Sequence, residues 1–341
     1  MKERQPSITD WKNLYDAAVE FKGIGCWDWM LDSDVFGVQN PANGEIGYCC
    51  VMGHLGEHFA LGVYLGTEGL GTYLKIQNRE MIEPDIEALM SQKCLMASFE
   101  DREFLSKEDR EIIKKLNLKF RGRNQWPLFR SYEPGYHPWY ITKDEVGYLT
   151  LALKQTIEVA LRFKEEPDML TPPRRNRYLV RVPRKTKGGR RWEDKWLKPE
   201  PLEEPRMAVP PLNEVRLQKI KKTIKRRGGS WEADFFYSPA PVREGNERPY
   251  YPYTILYVDG HSGLILHADV AKPMEYMTQF PNGLMGLIEN AKMRPSEILV
   301  KKEESFELLE LIASRLDIKL KLVRELEMLE YAQNSMFQFF R

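Results

Sequence analysis

Three carboxylates in the C-terminal third of the chain are of the type that holds paired metal ions in nucleases. Asp234 lies in an apolar run typical of a strand, Glu289 in a helical run, and Glu303 directly after a further short strand. Carboxylates from several strands and helices bind Mg²⁺ or Mn²⁺ when they converge on one site. A metal-dependent nucleic-acid-processing enzyme is therefore one candidate function.

The same carboxylates have a simpler explanation, which we favour. Each also fits the solvated face of a helix or strand, and Lys301 and Lys302 follow the fourth strand where metal ions would bind. Positive charge at that place opposes the binding of a divalent cation. We therefore predict no metal and no cofactor, and keep Mg²⁺ or Mn²⁺ as the alternative.

A second candidate site is the basic middle of the chain. Residues 171–230 contain 19 Lys and Arg against 6 Asp and Glu, a net +13, whereas 1–170 carries −7 and 231–341 carries −5. Clustered cations bind nucleic-acid phosphates, and tryptophan can stack on a base. The same charge could equally neutralise the two acidic parts. The candidates for nucleic-acid contact are Arg174, Arg175, Arg190, Arg191, Trp192, Lys221, Lys222 and Arg226.

An aromatic segment, 126–140, is the third candidate. It contains six aromatic residues, three prolines and a glycine, which excludes a regular helix. Such a segment either packs over the core as a rigid tether or lines a groove for a partner. We favour packing. The residues that would line a partner groove are Trp126, Tyr136 and Trp139.

Two weaker motifs predict turns. His54 and His58 match the H-x-x-E-H pattern of one class of zinc proteases, but the glycines around them indicate a β-turn instead of the required helix. The glycines of 66–71 follow a strand, yet their spacing fits neither the dinucleotide nor the P-loop pattern. We predict a capped turn there, with small-ligand binding as a further alternative.

Periodicity and turn residues predict an α+β domain over residues 1–170. Its first helix would be capped by Thr9 or Asp10, and its last by Thr142 with Glu145. An antiparallel meander precedes the later helices. The predicted helices span 9–21, 66–77, 106–116 and 142–163, and the predicted strands span 34–38, 47–53, 58–65 and 93–99.

Residues 171–212 predict a basic, proline-rich connector. Within it, 176–182 indicates an edge strand and 184–191 has loop composition. Residues 213–341 predict a second domain that opens with a helix over 213–227, which Gly228 and Gly229 would end.

The second domain then has the order βββαβαβα, with a turn at Asp259–Gly263 between its second and third strands. This is the order of the ribonuclease H fold, an antiparallel meander followed by parallel strands with crossover helices. We therefore predict a ribonuclease H-like α/β domain.

Composition indicates a soluble, cytoplasmic protein. No apolar run approaches the length of a membrane span, and the N-terminus lacks a signal-peptide pattern. The four cysteines show no C-x-x-C spacing, which predicts reduced, mostly buried thiols.

Several short sequence segments resemble those of an uncharacterised bacterial two-domain family. In the N-terminal half they are Trp11 with Leu14 and Tyr15, then 34–38, 47–53 and 64–70. In the C-terminal half they run from Pro252 through 258–263 to 295–300. The resemblance implies two domains of unknown function and no catalytic residues.

These observations predict a non-enzymatic binding or scaffold protein that contacts a macromolecule through its basic connector and aromatic loop. Nucleic acid is one candidate partner, and a membrane is not. The alternative is the metal-dependent enzyme of ribonuclease H-like fold. The sequence leaves the partner and the oligomeric state open.

Overall fold

The computed structural model describes residues 5–78, 90–186, 189–201, 213–245 and 247–339. The chain divides into two compact units, Met1–Leu202 and Glu203–Arg341. Each unit combines one sheet with helices, which confirms the α+β class.

The first unit is built on a seven-stranded sheet in the order β5-β4-β3-β2-β1-β6-β7. The β1–β6 pair is parallel, and the other neighbouring pairs are antiparallel. Its elements are α1 Ile8–Ile24, β1 Phe36–Gln39, β2 Ile46–Met52, β3 Ala60–Leu65, α2 Gly66–Gln77, β4 Cys94–Glu100, α3 Lys107–Lys115, β5 Trp126–Tyr132, α4 Lys143–Glu165, β6 Tyr178–Thr186 and β7 Gly189–Leu197.

Helices α1 and α4 pack together in the main core of this unit, which also includes residues of the central strands. Thr142 and Glu145 form the predicted capping box at the start of α4. The predicted cap of α1 was wrong. Ser7 is the N-cap and forms a capping box with Asp10, because Asp10 is the third helical residue and reaches back to the Ser7 backbone.

A second cluster packs tyrosines, Cys50 and Cys94 beside α2, which begins directly at the end of β3. All four cysteines are free and buried, as predicted. Burial raises the pKa of Cys49 to about 12, so this thiol stays protonated near neutral pH. His54 lies in a turn, in agreement with the prediction. Its ring nitrogen Nδ1 lies 3.0 Å from the Trp27 carbonyl oxygen.

The largest correction concerns the predicted connector. Residues 178–186 and 189–197 form β6 and β7, an antiparallel hairpin at the edge of the first sheet. The prediction of a loop over 184–191 was therefore wrong for 184–186 and 189–191, and residues 187 and 188 lie outside the described residues. The basic residues of this run show no apolar alternation, so their composition did not indicate a strand, although their backbones pair in the ladder.

One buried cation fixes the hairpin on α4. Arg181 of β6 is only 7% exposed. Its guanidinium donates to Gln155 Oε1 at 2.9 Å, to Asp194 Oδ1 at 2.8 Å and to Glu158. A guanidinium removed from water is tolerated only when its donors have acceptors. This network therefore determines where β6 and β7 lie.

The second unit has a five-stranded sheet in the order β10-β9-β8-β11-β12. Strands β8, β9 and β10 form the antiparallel meander, and β11 and β12 run parallel to β8. Its elements are α5 Glu214–Thr223, β8 Arg227–Tyr237, β9 Tyr253–Asp259, β10 Ile265–Ala271, α6 Tyr276–Ala291, β11 Arg294–Val300, α7 Glu303–Arg315, β12 Lys319–Leu322 and α8 Glu327–Phe339.

The helices cover both faces of this sheet. Apolar residues of α5, α6 and α7 pack with Trp231, Ala233 and Phe235 of β8. Residues of α8 pack instead with Leu256 and Val258 of β9. The alternation predicted for β8 is thus confirmed.

The predicted end of the first helix in this unit was wrong. Helix α5 ends at Thr223, and Gly228 and Gly229 lie inside β8. A Cβ added to Gly228 would lie 2.4 Å from Met293 Sδ. Gly228 therefore lets the Met293 side chain approach the strand closely. The glycine is needed for this contact and does not end a helix.

We predict that Arg181→Met destabilises the first unit by about 2 kcal/mol, because Glu158 loses its ion pair, Asp194 keeps only Arg162, and the buried Gln155 Oε1 loses its donor. Urea unfolding followed by circular dichroism measures this. Arg184→Met is the matched control, since its ion pair with Glu193 lies on the surface of the same hairpin. Equal unfolding midpoints for the two variants would contradict the role of Arg181.

Candidate functional site

The outer end of the β6–β7 hairpin, residues 184–191, is the most basic segment of the first unit. We call it the basic tip; it contains five Lys and Arg and no acid. In its register, Arg184 faces Arg191 and Lys185 faces Arg190. All four of these residues are exposed. The tip thus sets like charges directly opposite each other, an arrangement that is unfavourable in water.

The tip extends beyond the rest of the sheet. Strand β6 pairs with β1 only at Val180 and Arg181, and β7 is the edge strand. From Pro183 to Thr186 the hairpin is therefore two-stranded over four residues, or about 13 Å of strand. Its described residues 184–186 and 189–191 are exposed.

The cations lie on both faces of this two-stranded segment. Residues two apart in a strand share a face. Lys185 and Arg190 thus share a face with Pro183 and Trp192. Arg184 and Arg191 occupy the opposite face, where Glu193 accepts from Arg184 at 2.8 Å. Within the described ranges, Lys185 and Arg190 have no ion-pair partner.

Trp192 is only in part available for stacking. Its side chain is half-buried and packs against the main core of the first unit. It therefore joins the basic tip to the body of the sheet, with part of the indole exposed.

The other predicted nucleic-acid contacts are not at the tip. Arg174 and Arg175 are exposed but precede β6, so about 20 Å of strand separates them from the tip. In the second unit, Lys221 is paired with Asp317 at 2.9 Å, and Lys222 is exposed on α5. Arg226 lines a cleft of that unit.

The aromatic candidates lie in strand β5 and in the segment after it, which turns back and pairs with the end of β5. Trp126 begins β5, where its ring packs on Phe120 with a centroid separation of 5.8 Å. The Trp139 backbone exchanges hydrogen bonds of 2.8 and 2.9 Å with Ser131. Tyr136 and Trp139 are half-buried. This arrangement agrees with packing, and the partner groove stays a prediction.

The structure gives the three candidate carboxylates different surroundings. Asp234 is 6% exposed, and its Oδ1 accepts from Ser305 Oγ at 2.9 Å. Glu289 on α6 pairs with Arg216 at 2.7 Å, and Glu303 is exposed at the start of α7. Among the residues that the structure describes, no group of three His, Cys, Asp or Glu side chains could hold a metal ion.

Lys302 contacts Phe235, the residue that follows Asp234 in β8. Its Nζ donates to the Phe235 carbonyl at 2.8 Å and lies 5.2 Å from the centre of the Phe235 ring. Cationic and hydroxyl groups thus occupy this end of β8, which favours a structural role for Asp234.

Sequence reasoning missed the buried carboxylate of Glu232, which is 5% exposed. It accepts a hydrogen bond from the Leu329 backbone N–H at 2.8 Å, in the first turn of α8. Burial raises the pKa of Glu232, and the backbone donors of Leu329 and Met328 offset this only in part. The available signal was a second acid, two residues before Asp234 and on the same face of the strand.

Comparison with known families matches both parts of the chain. A domain of unknown function, DUF7309, matches residues 11–181, which is half of the chain. The chain belongs to the DUF7309 family. A second domain of unknown function, DUF6930, matches residues 216–337 and so covers most of the second unit. The predicted pair of uncharacterised domains is thus confirmed, while bacterial origin stays a prediction.

The basic tip lies between these two matches. The DUF7309 match ends within β6 at residue 181, and the DUF6930 match begins within α5 at residue 216. The search of curated proteins found no match for the chain. None of the described helices is long and apolar enough to cross a membrane.

We predict that Glu232→Gln becomes more stable relative to the wild type as pH rises from about 4 to 7. A carboxyl whose pKa is raised by folding contributes stability that is lost as pH rises above its unfolded value of about 4.5, and the amide has no such loss. Urea unfolding at several pH values tests this. Glu310→Gln, at an exposed position on α7 of the same unit, is the control. A pH-independent difference for Glu232→Gln would contradict it.

Proposed function

We propose that this DUF7309 protein is a non-enzymatic nucleic-acid-binding protein whose contact surface is the basic tip. The observation that carries the proposal is the pair of Lys185 and Arg190, held opposite each other on a protruding ribbon without an ion-pair partner among the described residues. A polyanion placed against this pair would replace repulsion with attraction and would release its own counterions.

The shape of the tip favours nucleic acid over an acidic protein patch. An antiparallel two-stranded ribbon fits the major groove of duplex DNA, which is about 12 Å wide. Phosphates lie on both sides of such a groove. Cations on both faces of the ribbon, such as Lys185 on one and Arg191 on the other, match that arrangement.

The alternative is that the basic segment neutralises the acids of its own chain. That happens at the base of the hairpin, where Arg181 pairs with Asp194 and Glu158. At the tip, Arg184 has such a partner, Glu193, whereas Lys185 has none in the described part of the chain. The described contacts therefore separate a structural base from an available tip.

We predict salt-dependent binding to duplex and single-stranded oligonucleotides that Lys185→Gln with Arg190→Gln weakens. Removing one phosphate contact lowers the slope of log affinity against log salt by about 1, so the double variant should lower it by about 2. Fluorescence anisotropy between about 50 and 200 mM salt measures the slope.

The matched control is Arg174→Gln with Arg175→Gln, which removes the same charge at the opposite end of β6. A smaller effect of this control supports the basic tip as the contact surface. The proposal fails if the tip variant binds like the wild type, or if the two double variants weaken binding equally.

We further propose that the second unit is ribonuclease H-like in fold and does not cleave nucleic acid. The order and directions of its five strands support the first part. The contacts of Asp234 with Ser305 and of Glu289 with Arg216 support the second, since they commit these carboxylates to other partners.

We predict no cleavage of labelled oligonucleotides by the full chain with Mg²⁺ or Mn²⁺. Gel analysis over time tests this. Metal-dependent cleavage that Asp234→Asn abolishes would establish the enzyme alternative and overturn the non-enzymatic proposal.

A further inference from the structure

A cationic cleft lies between α5 and the end of α6 in the second unit. Its volume is about 620 Å³, and the buried side chains of Ile220 and Ile224 are part of its wall. Pockets of about 300–1,000 Å³ are the usual size for small-molecule ligands. The charged residues that line it are Lys219, Lys225, Arg226, Lys292 and Glu289.

The one carboxylate of the cleft is already paired. Arg216 donates to Glu289 at 2.7 Å and is the main reason that the pKa of Glu289 is lowered; the charges of Lys219 and Lys292 lower it further. Since Lys219 comes from α5 and Lys292 follows α6, cations from both sides of the cleft act on this carboxylate. It does not neutralise them all.

Three of the four cations lack a close side-chain partner within the described ranges, although Lys219 and Lys292 act on Glu289 through their charge. Lys225 donates to the Lys221 carbonyl at 3.0 Å. Across the described part of the chain, no hydrogen bond or ion pair is formed by the side chains of Lys219, Arg226 and Lys292. The cleft therefore gathers positive charge around a volume with room for an anionic ligand.

The backbone at Lys292 adds a second observation. Its φ of 51° is left-handed, at the position directly after α6 where glycine or asparagine is usual. A non-glycine residue in this region has a conformational cost, and such residues cluster at functional sites. Here the strained residue contributes an ammonium group to the cleft wall.

We propose that this cleft binds a phosphate group, supplied either by a phosphorylated small molecule or by a nucleic-acid backbone. Lysine and arginine are the side chains that hold phosphate oxygens, by charge and by hydrogen bonding. The site belongs to the second unit alone. Its existence does not depend on the basic tip of the first unit.

Titration of the full chain with pyrophosphate at low salt, followed by calorimetry, tests the first source. We expect binding by the wild type and a loss of about tenfold or more in Arg226→Gln with Lys292→Gln, because two phosphate contacts are removed. The control is Lys222→Gln with Arg324→Gln, which removes two exposed cations outside the lining. Thermal unfolding of each variant verifies its fold.

An oligonucleotide arm tests the second source, in a chain whose tip carries Lys185→Gln and Arg190→Gln. If pyrophosphate does not bind but the cleft variant weakens residual oligonucleotide binding about tenfold beyond the control, the ligand is a nucleic-acid phosphate. If the cleft and control variants are indistinguishable in both arms, the phosphate site is overturned. Neither result depends on whether the tip binds nucleic acid.

Discussion

The buried guanidinium of Arg181 is the constraint on which the first unit's outer sheet depends. A charge that is removed from water must be matched by acceptors, and Gln155, Glu158 and Asp194 supply them from two elements. A shift of one residue in β6 would turn Arg181 to the opposite face of the sheet and leave that charge unmatched. The register of the hairpin therefore follows from one residue. The position of Arg181 also determines the face on which each cation of the basic tip lies, because successive residues of a strand alternate between the two faces.

A buried acid has the corresponding role in the second unit. Glu232 accepts from the first turn of α8, where unpaired backbone N–H groups favour negative charge. Two residues further along β8, Asp234 accepts from Ser305 of α7. Both acids of this strand thus fix helices to the sheet. The ribonuclease H-like fold that we propose for this unit does not by itself imply a reaction centre, since the same carboxylates can be used for packing.

Local signals in the sequence predicted the elements that depend on local interactions. The capping box at Thr142, the helix that Ser106 caps and the order of the second unit all follow from residues within one turn or one strand. Strand β5 was missed because prolines argue against a central strand, whereas Pro127 lies in an edge strand. Strand β7 was missed for a different reason. Its pairing is stabilised by Arg181 and the partners of Arg181 on α4, which no local pattern reveals.

The same limit applies to the candidate sites, because charge counts do not show which cations are already paired. Lys221 and Arg226 are near neighbours on the chain, yet Lys221 pairs with Asp317, 96 residues away, while Arg226 has no such partner within the described ranges. The tertiary fold determines which partner a long side chain can reach. A net charge of +13 over residues 171–230 thus separates into three populations. Some cations stabilise the hairpin or the helices, some are exposed singly, and a few face one another across a ribbon or a cleft. This last population attracts an anion most strongly, because folding holds these cations close together without neutralising them.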